Sequence, residues 1–296
     1  MQAGIMVNSG VGGEYAGWDG ARMWQRALRV GELTEELGFT FAWVGDHLRA
    51  VLGPDDAPAL EAFTFLAALA ERTDRIRLGA GVACAGFRNP SLLVRMLSTL
   101  DLASAGRAEF TLGAGWHEGE WRSYGYGYPP IRERLRQLED ALEIATRMLR
   151  PGRATWEGQH FSVDEVIAEP KGAQQPRMPI VVGGNGPEVT WRLAVRYADE
   201  LNLDSIDIES IREAIPVIRQ RCEEVDRDPA TLKVSAFYWW HSVSGQERVE
   251  RLEELADLGL VRTHSLFLEA VDSDEPLISF AQDCRSAGLE LHPAAA

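Results

Sequence analysis

The sequence predicts an α/β fold, a (β/α)8 TIM barrel running as one domain over residues 1–296, and three observations predict it. Strand-like and helix-like patterns alternate strictly from end to end, which demands parallel strands joined by crossover helices. Each pattern occurs eight times, the number that closes such a sheet on itself. The first strand is followed by a long loop, NSGVGGEYAGWDG, rather than by the tight glycine turn of an open doubly wound sheet.

The elements follow in order. AGIMV (3–7) is the first strand, and its helix is WQRALRVGELTEELG, where Trp24, Ala27, Leu28, Leu33 and Leu37 share a face at three- and four-residue steps. TFAWVG (40–45) with EAFTFLAALAER forms the second unit, and IRLGAGVA (76–83) with PSLLVRMLSTLDLAS the third. The fourth is AEFTLGA (108–114) with PIRERLRQLEDALEIATRML. PIVVGG (179–184) with PEVTWRLAVRYA and ELNLD (200–204) with ESIREAIPVIRQRCEEV come next. LKVSAFYWW (232–240) with QERVERLEELADLG and HSLFLEAV (264–271) with PLISFAQDCRSAG complete the ring. The strands are short apolar or β-branched runs that end in glycine or polar residues. Proline opens several of the helices and glycine closes several. Two insertions break the pattern: 116–129 after strand four, and 150–178 before strand five. Within the second, ATWEGQHFSV reads as a hairpin with Glu-Gly at its turn. The closing PAAA is expected to fray.

Composition narrows the class. A net charge of −15 argues against nucleic acid or an anionic membrane as partner, because both need a basic surface. Hydrophobic residues make up 45% of the chain, enough for a large core. Cys84, Cys222 and Cys284 show no metal-ligand spacing and suit a reducing compartment. MQAGIMVNSG lacks the basic and apolar regions of a signal peptide, and no apolar run approaches the roughly 18–20 residues of a membrane span. A cytoplasmic location is expected.

In such barrels the reacting groups gather at the carboxyl ends of the strands. Strand two ends in GDHL, with Asp46 and His47; strand four ends in LGAGWHEGEW; strand five ends in VVGGNGPEV. Gly183, Gly184 and Gly186 let backbone amides approach an anion, and Pro187 opens a helix whose free amides face the same point. A phosphate suits that turn; a tight left-handed turn closing the strand is the alternative. Asp46 and His47 read either as an acid–base pair or as a helix cap beside a satisfied histidine. GWHEGEW reads either as a pocket wall or as a packing corner, with Trp121 assigned to packing.

Taken together, EELGFTFAWVGDHL, EAFTFLAALAERTDRIRLGAGV, RNPSLLVRMLSTLDLASAGRAEFTLGAGWHEGEW, ERLRQLEDALEI and PIVVGGNGPEVTWRLAVRYADELN resemble the luciferase-like monooxygenase superfamily, from about residue 3 to 204. WVGDH and GAGW are similar to the branch that uses the deazaflavin coenzyme F420. The resemblance implies that Asp46 lies against the edge of the three-ring system and His47 on its reacting face. It implies that Ala83 and Cys84 form a strand-three bulge behind the ring, often with a non-proline cis peptide. Gly115, Trp116 and His117 would flank the ring and ribityl chain, and Gly183, Gly184, Asn185 and Gly186 would hold the phosphate. It also implies a homodimer formed through helices two and three.

The expected activity is hydride transfer between F420 and a small organic substrate, with His47 handling the proton and Glu118 as the alternate. FMN-dependent oxygenation is the rival within the fold, and a flavin-binding barrel without catalysis is the rival outside enzymology. The six histidines offer neither HxH nor a helical pair beside a carboxylate, so no metal site is expected.

Overall fold

The computed structural model describes residues 1–204 and 207–293; Ala294–Ala296, where fraying is expected, lie outside them. In chain order the elements are β1 (Gln2–Val7), α1 (Gly20–Glu36), β2 (Phe41–Val44), α2 (Ala62–Arg72), β3 (Arg77–Ala80), α3 (Pro90–Ala103) and β4 (Phe110–Leu112). A short helix α4 (Glu118–Ser123), the long α5 (Ile131–Met148) and a hairpin of β5 (Arg153–Glu157) and β6 (Ser162–Ile167) follow. The second half holds β7 (Ile180–Gly183), α6 (Thr190–Tyr197), β8 (Glu200–Leu203) and α7 (Ile208–Glu223). It ends with β9 (Lys233–Phe237), α8 (Gly245–Asp257), β10 (Arg262–Ser265) and α9 (Glu275–Ser286).

The large sheet runs β3-β2-β1-β10-β9-β8-β7-β4, eight strands paired in parallel. Its two edge strands meet through the bridges Leu78↔Ala108 and Cys84↔Gly113, so the ring closes into the expected barrel. The closing bonds run from Leu78 N to Arg107 O and Glu109 N to Leu78 O at the foot, and from Gly113 N to Ala83 O and Ala85 N to Gly113 O at the rim. Between these two sets lies a cis peptide, Gly81–Val82. One apolar core runs between the strands and the surrounding helices, from Ala3 to Leu289. No helix among the described residues is long and apolar enough to cross a membrane.

The barrel interior is filled in layers. At the amino-terminal end Arg262 bonds Glu109 at 2.9 and 3.1 Å and Glu200 at 2.8 Å, while Arg77 and the Trp43 indole each reach Glu109 at 2.8 Å. Burial alone would raise the Glu109 carboxyl, but Arg262 and Arg77 outweigh it and hold it down to about 2. Above the charges stand Phe41, Trp43 and His264, with the Arg262 guanidinium 4.4 Å from the Phe41 ring centre. Gly4 pairs with both Phe41 and His264, and a Cβ there would lie 2.6 Å from the Phe41 ring. That layer is the floor of the site.

Four expectations need correction. The last strand is Arg262–Ser265, not 264–271; Leu268–Val271 forms a 3-10 turn instead. Arg262 and His264 point into the barrel, so the strand carries polar residues where a sequence search wants apolar ones. The hairpin turn falls at 158–161, one residue later than Glu-Gly, because Asp140 on α5 accepts from the His160 and Phe161 amides and the Trp156 indole. The sixth helix begins at Thr190 rather than Pro187. Insertion 116–129 contains α4 and is not only loop.

The floor makes stability depend on pH. Burial, with Arg262 beneath, pushes the His264 imidazole down from 6.5 to about 3. The unfolded chain therefore takes the proton first, and this contribution is complete above about 6.5 and lost as pH falls toward 3. Urea midpoints are expected to drop between about pH 7 and about pH 5, and His264→Asn to flatten that slope. An unchanged slope in the variant refutes the assignment.

Candidate active site at the carboxyl rim

A cavity of about 400 Å³ opens at the carboxyl ends of the barrel strands. Met6, Phe237 and His264 line its base, and segments after β2, β3, β4, β7 and β8 form its walls.

Asp46 leaves β2 buried, and its carboxylate is fully engaged. Oδ2 accepts from the Cys84 amide and Arg88, both at 2.8 Å, and Oδ1 from Arg88 at 2.9 Å. Arg88 also bonds Glu61, which caps α2. A ring-edge contact by Asp46 is thus not what the geometry favours; the side chain pins the segment after β3. In that segment the cis peptide lies at Gly81–Val82, ahead of the Ala83–Cys84 position implied by the resemblance. Ala83 is buried in the closing bonds, and Val82 faces the cavity instead. Val82 fits only because Gly113 and Gly183 flank it: a Cβ on either would come within 2.8 Å of its side chain. Cys84 lines the cavity as a neutral thiol, pushed up to about 12 by burial.

The wall after β4 is built by α4. Gly115 has φ +73°, and a Cβ there would sit 2.5 Å from the Cys84 sulfur. Trp116 stands at the mouth, 56% exposed, edge-on to His47 with ring centres 5.8 Å apart. His117 does not line the cavity; its Nδ1 accepts from the Glu120 amide and caps α4. Glu118 points to solvent, paired with Arg122, and does not line the cavity. Glu120 does. It is 1% exposed, its Oε2 lies 2.9 Å from His47 Nδ1, and its Oε1 accepts from the Leu48 amide. Trp121 is buried against Phe87, as packing.

The β7 turn closes the far side. Gly183, Gly184, Asn185 and Gly186 all line the cavity with Thr190 and Asp204. The Asn185 side chain is not free: Nδ2 donates to Asp204 O at 2.7 Å and Oδ1 accepts from Asp204 N at 2.9 Å. It clasps the β7 turn to the end of β8. Gly184 has φ +133°, and a Cβ at Gly186 would lie 3.0 Å from Thr190 Oγ1.

The structure therefore gathers Asp46, His47, Cys84, Gly115, Trp116 and the Gly183–Gly186 turn around one hollow, and leaves Ala83, His117 and Glu118 outside its lining. Sequence reasoning missed Glu120, Val82, Phe237 and His264. Glu120 was within reach: once 118–123 is a helix, residues two apart face opposite ways, and buried Trp121 marks the inner side.

A glycine-lined slot beside an imidazole–carboxylate pair at a barrel's carboxyl rim is the architecture of a coenzyme-binding enzyme. The chain belongs to the luciferase-like monooxygenase family, whose sequence model matches residues 1–272. It is 32% identical over 173 residues to an F420-dependent glucose-6-phosphate dehydrogenase of Microbacterium testaceum, covering 58% of this chain and 50% of that protein. It is 26% identical over 275 residues to the protein of that name in Amycolatopsis mediterranei, covering 81% and 79%. The chain thus spans half the length of the first relative and about four fifths of the second. An F420-dependent secondary alcohol dehydrogenase solved with an F420-acetone adduct superposes with a TM-score of 0.81 at 17% identity, covering 97% of this chain and 98% of that one. The monooxygenase RslO1 from Streptomyces bottropensis superposes with a TM-score of 0.76 at 21% identity, covering 97% and 99%. These two likenesses concern the fold.

The slot depends on its glycines. Gly115→Ala places a Cβ at a left-handed φ and against the Cys84 sulfur, and is expected to cost about 1–3 kcal/mol in denaturant unfolding. Cys84→Ala in the same chain should restore only the steric part. A Gly115→Ala protein as stable as the parent contradicts this account.

Proposed function

We propose that this protein is an oxidoreductase that binds coenzyme F420 in the rim cavity and exchanges a hydride with a small organic substrate. The observation that carries the reading is the His47–Glu120 pair on the wall of the glycine-lined slot. The names of the relatives support the coenzyme. The donor set fits it: Gly113, Gly115 and Gly183 leave flat walls, and the backbone at Asn185 and Gly186 with the start of α6 offers amides to a phosphate, the Gly184 amide being held by Asn202 O. When bound, the coenzyme supplies the carbon that exchanges the hydride.

This chain's own residues do the rest. Glu120 accepts a hydrogen bond from the Nδ1–H of His47, which fixes the tautomer and leaves Nε2 to accept the proton of a substrate hydroxyl, or to return it to a carbonyl oxygen. Leu48 N and the α4 cap hold Glu120 in turn. Asp46 acts through Arg88 and the Cys84 amide to fix the wall carrying Val82. Trp116 covers the mouth beside His47 and limits water.

The purified protein is expected to quench F420 fluorescence on titration and to turn over without oxygen. His47→Ala should lower kcat by roughly 10²–10⁴ with coenzyme affinity retained. Glu120→Gln should lower kcat less, and Glu118→Gln should leave it unchanged. Tight FMN binding with oxygen-dependent turnover overturns the proposal.

We further propose a homodimer formed through α2 and α3, where Leu92 and Leu102 stand exposed beside a groove lined by Phe63, Ala67 and Met96. Sedimentation should give a dimer that Leu92→Glu dissociates; a monomeric parent ends the idea.

A further inference from the structure

The ionisable side chains that line the cavity are the carboxylates Asp46, Glu120 and Asp204, the imidazoles of His47 and His264, and the Cys84 thiol. Among the described residues neither lysine nor arginine lines it, and Ser205 and Ile206, outside the described residues, carry no charge. Three guanidinium groups on neighbouring segments are committed, and that of Arg132, exposed on α5 beside Ile131, does not line the cavity. Arg88 holds Asp46 and Glu61, Arg134 holds the Gly115 and Pro129 carbonyls, and Arg49 holds Asp55. His264 is neutral at working pH because burial and Arg262 hold it down to about 3. The rest of the wall is apolar, with Met6, Val82, Trp116, Ile131, Leu135 and Phe237.

We infer that the substrate is a small uncharged alcohol or carbonyl compound, and that the phosphorylated sugar in the relatives' names is not turned over here; this rests on the coenzyme reading above. A phosphate ester is doubly charged near neutral pH and must give up its hydration on entering. This wall offers it no lysine or arginine among the described residues, so the loss is not repaid. The glycine turn at Gly183–Gly186 is the place for the coenzyme's own phosphate and is not available to a second one. The volume agrees. About 400 Å³ lies near the lower end of the roughly 300–1,000 Å³ of ligand clefts, and a three-ring group takes a large part of it.

The test uses the purified full chain saturated with whichever of F420 or FMN it binds. Glucose-6-phosphate, glucose, simple secondary alcohols with their ketones, and a primary amine are compared by turnover and by calorimetric titration. Expected is saturable turnover of an uncharged alcohol or ketone, with kcat/KM for glucose-6-phosphate roughly 100-fold lower or undetectable, and no calorimetric binding of it. Glucose-6-phosphate turned over as well as the uncharged compounds overturns the inference while leaving the coenzyme reading intact. Preference for the amine overturns it in the other direction. Binding of FMN with oxygen-dependent turnover, or of neither coenzyme, overturns the coenzyme reading, and this inference falls with it.

Discussion

The site rests on a buried ionic plug. Arg262 bridges Glu109 and Glu200 at the closed end of the barrel, and Trp43 and Arg77 complete the hydrogen bonding of Glu109. Burying these charges is costly unless they are paired, and here Arg262 meets Glu200 through Nε and Glu109 through Nη1, while Arg77 meets Glu109 through Nε. The plug sets the height of everything above it. Arg262 lies under Phe41 and Trp43, these meet His264, and His264 meets Phe237 on the cavity base. A change in the charge layer therefore moves the floor on which the ligand would lie.

A second constraint works from the rim. Asp46 ties the end of β2 to the segment after β3 through the Cys84 amide and Arg88, and Arg88 ties both to the cap of α2. This clamp lies where the ladder between β3 and β4 is interrupted, between its two sets of closing bonds. The interruption lets Val82 turn inward against Gly113 and Gly183. Chain order thus becomes a wall: two glycines on separate strands leave room for one valine.

The barrel was readable because its signals are periodic. Apolar positions at helical spacing and short β-branched runs survive any choice of interior residue on most strands. They fail on β10, whose inward positions are Arg262 and His264, because the charge layer there replaces apolar filling. The rim was readable as a region, since polar residues at strand ends have few structural uses. Roles within it were less so. Asp46 and Asn185 look like ligand contacts in a linear motif, yet each is occupied by partners distant in sequence, Arg88 and the backbone of Asp204. Glu118 and Glu120 differ only by the helix that turns one outward and one inward, and that helix lies in an insertion without a clear period.

Three of the buried carboxylate systems also separate structure from chemistry. Glu109 and Glu200 are paired with Arg262, and Asp46 with Arg88. Arginine stays protonated across the working range, so neither pair can pass a proton without leaving a buried charge uncompensated. Glu120 is paired with an imidazole, a group able to gain and lose a proton near neutrality. When His47 takes a proton, Glu120 is already in place to balance the new charge; when it gives the proton up, the Nδ1 bond remains. Of these three arrangements, the histidine pair is the one whose hydrogen bond at Nδ1 would survive the proton step proposed for it.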